Sequence, residues 1–114
     1  MSAIFQEKRR SPRIKLQTPL SYQVRGNPQI HNALSDNISL GGLGFIHHNF
    51  IPPQTTLMLK VNISSRILSP VARIVSSVPL VHSDRYRLGV EFLELDAQEK
   101  DYLNQYLSVQ GGKL

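Results

Sequence analysis

The chain has 114 residues, enough for one domain with a buried core, and 40% of them are hydrophobic. It has no cysteine, which excludes a disulfide framework, a cysteine-held zinc and thiol catalysis. The formal net charge is +5. Without Lys8, Arg9, Arg10, Arg13 and Lys15, the remaining eight basic side chains balance the eight acidic ones, so the excess sits in one N-terminal segment and points to a specific anionic partner.

Residues 1–18 carry much charge and few apolar side chains, so they are expected to form a flexible basic arm ahead of a folded unit over 19–110. The N-terminus lacks the charged start and apolar run of a secretory signal, and no apolar stretch approaches the length of a membrane span. The expectation is a cytoplasmic protein with no membrane span. Leu20, Tyr22 and Val24 alternate with Ser21, Gln23 and Arg25, as in a half-buried strand. Gly26-Asn27-Pro28 is turn chemistry, and residues 29–35 alternate again, with Ile30 and Leu34 on one face and His31, Ala33 and Ser35 on the other. Asp36-Asn37-Ile38-Ser39-Leu40-Gly41-Gly42 reads as a polar turn, and Leu43 to His47 as the next strand.

Leu57, Leu59, Val61 and Ile63 give the clearest alternation in the chain. Residues 66–78 form a β-branched stretch, bent near Pro70. Tyr86, Leu88, Val90 and Phe92 mark a closing strand. The period then changes. Asp96 with Glu99 three residues on predicts a capping box, Leu103, Tyr106 and Leu107 follow at helical spacing, and Gly111-Gly112 is the expected stop. Short, regularly spaced strands followed by one helix predict an all-β barrel or sandwich with a C-terminal helix.

Two features carry chemistry. In Arg9-Arg10-Ser11-Pro12-Arg13, arginine forks can grip phosphate, pair with the O6/N7 edge of guanine and stack on bases. Taken alone, the segment is more simply a solvated basic tail or a non-specific nucleic-acid arm. In Asn37-Ile38-Ser39-Leu40-Gly41-Gly42, Asn and Ser offer short-reach donors and acceptors. The glycines permit close approach to the backbone or a positive φ, though alone this is an ordinary turn. His47 and His48, neighbours on a strand, point to opposite faces and do not suit one metal ion. Ser39 lacks the sharp strand-to-helix setting of a hydrolase nucleophile, and no acid, base and nucleophile converge, so no enzyme is expected.

The order Arg-x-x-x-Arg (Arg9, Arg13), then Asn-x-Ser-x-x-Gly (Asn37, Ser39, Gly42), resembles the PilZ domain family. Leu88-Gly89-Val90-Glu91-Phe92 and the turn at Pro52-Pro53-Gln54-Thr55 are similar to that family too, and the resemblance runs from about Lys8 to Val109. It implies a six-stranded antiparallel β-barrel and binding of cyclic di-GMP on the barrel's outer surface, with no further cofactor. It also implies that Arg9, Arg10 and Arg13 contact phosphate and guanine, that Asn37 and Ser39 bond a guanine edge, and that Gly41 and Gly42 give the base access. Asn37 stands where many members have Asp. Lys8 adjoins the site. Where related receptors carry arginine there they take a stacked pair of ligands, and lysine keeps the charge without the planar face, leaving one or two ligands per chain open. The implied function is a receptor whose arm orders on binding and signals to an unidentified downstream protein. Two alternatives stand beside it: a PilZ-like interaction module that binds no nucleotide, and a small RNA or single-stranded DNA-binding barrel. The latter usually exposes several aromatic rings, whereas most of those here fall on predicted buried faces, so no long nucleic acid is expected.

Overall fold

A computed structural model describes residues 13–112 of the chain. Among the described residues the alternation of apolar and polar side chains becomes eight strands and a helix: β1 (Ile14–Lys15), β2 (Pro19–Val24), β3 (His31–Ser39), β4 (Gly42–His47), β5 (Thr56–Ile63), β6 (Arg66–Leu68), β7 (Val71–Pro79), β8 (Tyr86–Glu94) and α1 (Ala97–Gly112). Six of them close antiparallel into a barrel in the order β3-β2-β5-β7-β8-β4, with β4 pairing back onto β3. The remaining two are short additions: β1 lies along β3 beyond the end of β2, and β6 lies along β5. Closure removes the unpaired strand edges that an open sheet of this size exposes.

Inward-facing residues fill the barrel. Leu57, Leu59, Val61 and Ile63 of β5 are buried, as their alternation predicts, together with Leu20, Tyr22, Ile38, Leu43, Phe45, Ile74, Leu88 and Val90. Each such side chain contributes about 1.5–3 kcal/mol of transfer free energy. In the first half of β3 the alternation holds but the apolar face is the outer one. Leu34, and Ile30 just before the strand, are exposed while Ser35 is buried. The reason is a polar lock. The Ser35 hydroxyl donates to the Leu16 carbonyl and accepts from Thr18 N, and Thr18 Oγ1 donates to the Asn62 carbonyl at 2.5 Å. A hydroxyl that satisfies two backbone groups at a buried crossing leaves none of the three unpaired, which lets a polar side chain take the inward position.

Other differences from the sequence reading have physical causes. Asp36 to Ser39, expected as a turn, belong to β3, because this segment pairs with β1 on one side and β4 on the other. The loop shrinks to Leu40-Gly41, and a bulge lies between Ser35 and Asn37. The stretch over 66–78 divides at Ser69-Pro70, where proline has no N–H for the ladder. The Pro70 carbonyl still accepts from Leu59 N at 3.0 Å. At the helix start, Asp96 Oδ2 accepts from Gln98 N at 3.1 Å, but Glu99 does not complete a capping box. Its Oε1 accepts from Ser69 N at 3.0 Å and ties α1 to the β6–β7 link. The helix runs through Gly112 rather than stopping before the glycine pair. Leu103, fully buried, fixes α1 to the barrel, and the Tyr102 hydroxyl donates to the Ile63 carbonyl at 2.9 Å while Arg66 lies over its ring. No helix among the described residues is long and apolar enough to cross a membrane.

Candidate functional site

The Ser35 lock positions the site. By holding Leu16 and Thr18 against the barrel wall it fixes where β1 runs, and β1 sets Ile14 opposite Ile38 and Lys15 opposite Asn37. Arg13, one residue before β1, is thereby delivered to the outer face of β3, where its Nη1 donates to Asn37 Oδ1 at 2.5 Å. Two residues 24 positions apart in sequence, one from each chemical motif, thus meet. Lys8, Arg9 and Arg10 of the same expected site lie outside the described residues, as does most of the segment expected as an arm.

Asn37 is held from its other side as well. Its Nδ2 donates to Asp36 Oδ2 at 3.1 Å, and Asp36 Oδ2 faces Arg87 Nη1 of β8 at 3.6 Å. A polar chain Arg13–Asn37–Asp36–Arg87 therefore crosses the outer surface from β1 to β8. The orientation of the Asn37 amide follows from this network, with the oxygen toward the cation and the nitrogen toward the carboxylate. Gly44, opposite Asn37 on β4, makes the space: a Cβ there would come within 2.9 Å of Asn37 Nδ2.

The hairpin residues also hold their own loop together. Ser39 is buried. Its hydroxyl donates to the Gly42 carbonyl and accepts from Gly41 N, both at 3.3 Å, so it braces the two-residue loop. Neither glycine uses a positive φ. Gly42 is needed for packing between strands, since a Cβ on it would lie 2.1 Å from the Val90 carbonyl oxygen of β8. Gly41 has open space around it, and its carbonyl accepts from Phe92 N at 2.8 Å. Of the two glycines expected to give a base access, Gly42 is hemmed in by β8 and Gly41 is open. Farther along the same face, Arg73 of β7 forms an ion pair with Glu91 of β8, with Nε donating to Oε2 at 2.9 Å.

The outer face here carries Arg13, Lys15, Arg73 and Arg87 against Asp36 and Glu91; with Arg73 and Arg87 paired to the two carboxylates, Arg13 and Lys15 are the excess cations, and that excess suits a phosphate-bearing ligand. An amide and arginines together can also read a purine edge. Neither Asp36 nor Gly44 stands out in the sequence as a candidate for this face. A lone glycine between Leu43 and Phe45 in a strand signals close approach and could have found Gly44, whereas nothing local marks the bulge that brings Asp36 beside Asn37.

At the opposite end of the barrel wall, Tyr22 stacks on His31 with ring centroids 4.9 Å apart, and its hydroxyl contacts His47 Nδ1 at 3.1 Å. Burial, then the neighbouring charges of His31 and His48, hold His47 below the ordinary histidine range.

Comparison with known proteins supplies the context. The PilZ domain family model matches residues 7–108. No curated protein matches the chain. Among solved structures, the inhibitor of motility MotI/DgrA of Bacillus subtilis is similar with a TM-score of 0.81 at 19% identity, over 92% of this chain and 52% of that one. YcgR of Escherichia coli in complex with c-di-GMP is similar with a TM-score of 0.77 at 17% identity, over 93% and 47%. The MrkH–c-di-GMP complex of K. pneumonia is similar with a TM-score of 0.75 at 14% identity, over 90% and 51%. The chain spans about half the length of these proteins.

Proposed function

The chain belongs to the PilZ domain family, and from that premise we propose that it is a receptor for cyclic di-GMP that binds on the outer face of β3 and β4 and passes the signal to a protein partner. The observation that carries this reading is the Arg13–Asn37 hydrogen bond, which joins the end of the arginine motif to the start of the Asn-x-Ser-x-x-Gly motif in one place.

The chemistry runs as an exchange. Before binding, Asn37 Oδ1 and the Arg13 guanidinium satisfy each other on an exposed surface, where such a contact is worth little. The ligand offers Arg13 a phosphate or the O6/N7 edge of guanine, and offers the Asn37 amide a base edge. Arg9 and Arg10 complete the grip on phosphate and Lys8 adds charge. Gly41 leaves the loop flat for the base, and Ser39 and Gly42 keep that loop in shape. In this reading binding fixes the arm ahead of Arg13 against the barrel, and the fixed segment is the surface that a downstream protein reads. Fixing each residue costs roughly 1–2 kcal/mol, and charge-assisted hydrogen bonds of about 1.5–3 kcal/mol each offset it.

Arg13→Ala tests the assignment. Its only described polar contact is with Asn37, so the variant keeps its unfolding midpoint while affinity for cyclic di-GMP drops about ten- to a hundredfold. Unchanged affinity in a folded Arg13→Ala protein refutes the site.

A further inference from the structure

The bulge between Ser35 and Asn37 has a chemical consequence. In regular strand geometry consecutive side chains point to opposite faces. Here Ser35 turns inward to its backbone partners, while Asp36 and Asn37 share the outer face, bonded to each other through Asn37 Nδ2 and Asp36 Oδ2 at 3.1 Å. Arg87 reaches across from β8 to within 3.6 Å of the same carboxylate oxygen. The surface thus presents an amide N–H donor and a carboxylate acceptor side by side, with Arg13 on the far side of the amide.

Resting on the receptor reading above, we propose that Asp36 is a specificity-determining residue of this site, whose carboxylate accepts the N1–H and 2-amino hydrogens of a guanine, and that Arg87 is the positioning residue that holds it. Guanine sets an acceptor, O6, next to the donors N1–H and N2–H. The Asn37–Asp36 pair is the complement in that order, donor beside acceptor. Adenine presents the reverse order and meets donor against donor. The arrangement also accounts for asparagine at position 37. With a carboxylate already at 36, a second one beside it would add like-charge repulsion, and an amide supplies the missing donor. The Asp36 side chain is about one-third exposed, 32%, so a ligand edge can reach it while the bulge and Arg87 hold it in place.

The test compares cyclic di-GMP with its inosine analogue, which keeps O6 and N1–H and lacks the 2-amino group, by calorimetric titration of the whole chain. The wild-type protein binds the guanine ligand about tenfold or more tightly than the analogue, as expected for a hydrogen bond to a charged acceptor. Asp36→Ala keeps the Asp36 backbone contact in which the carbonyl accepts from Leu16 N, weakens cyclic di-GMP about ten- to a hundredfold, and brings the ratio between the two ligands close to one. A merely structural role, exerted by reorienting Asn37, weakens both ligands equally and leaves the ratio unchanged, which overturns the assignment. Should Asp36→Ala fail to fold, Arg87→Met frees the carboxylate without altering β3 and lowers the same ratio severalfold, and an unchanged ratio there also overturns it. A wild-type protein that binds both ligands equally overturns this inference and leaves the receptor reading standing, whereas one that binds neither overturns both.

Discussion

Replacing Gly42 with alanine separates a packing role from a ligand role. The added Cβ would sit 2.1 Å from the Val90 carbonyl oxygen and 3.1 Å from the Glu91 Cα, both backbone atoms of β8 that cannot rotate away. Restoring ordinary contact forces β4 and β8 apart by about 1 Å, an overpacking cost of about 1–3 kcal/mol. The separation falls beside the Phe92 N to Gly41 carbonyl bond of 2.8 Å, so about one further hydrogen bond, near 1 kcal/mol, is strained or lost. The sum of about 2–4 kcal/mol lowers the melting temperature by roughly 10–25 °C for a domain of this size. Thermal and urea unfolding of Gly42→Ala and Gly41→Ala measure it. Gly41 has nothing within 4 Å of its added Cβ and a negative φ, so that variant melts with the wild type. A Gly42→Ala protein of wild-type stability that has lost only ligand binding would rule out the packing role and return Gly42 to direct contact with the base.

His47 gives a pH signature. Its pKa is depressed in the folded protein, first by burial and then by His31 and His48, so the unfolded chain takes up the proton first as pH falls. Stability is level above the ordinary value near 6.5 and declines as pH drops through it toward the lower folded value. Urea midpoints between pH 8 and pH 5 follow this decline, with a shallower slope in His47→Gln, and a midpoint that rises on acidification contradicts it. Leu103→Ala removes the one fully buried side chain of α1 and costs about 2–5 kcal/mol by chemical denaturation. A loss below 1 kcal/mol would mean that the helix does not depend on this contact.

The parts of the fold legible in the sequence are those where one face meets the core. Leu57 to Ile63 alternates in the sequence and in the barrel alike, because each apolar residue there has no competing demand. Asp36 to Ser39 was illegible for the opposite reason. Its residues favour turns locally, yet strand partners on both edges supply more hydrogen bonds than a turn could. Ser35 shows how a polar residue enters a core face when it serves two backbone groups, displacing Leu34 to the outside. The meeting of Arg13 with Asn37 depends on the path of β1, which composition assigned to an arm, so only the family resemblance brought the two together. Asp36 and Arg87 needed the bulge and the β8 register, and neither leaves a mark in residue type alone.

The measurement that bears most directly on the receptor reading is a calorimetric titration of the whole chain with cyclic di-GMP. A receptor binds saturably at micromolar affinity or tighter, more weakly with added salt as expected for arginine–phosphate contacts, and the stoichiometry reports whether Lys8 supports one ligand or a stacked pair. A flat trace from folded protein would contradict it and leave a PilZ domain that works through protein contacts alone.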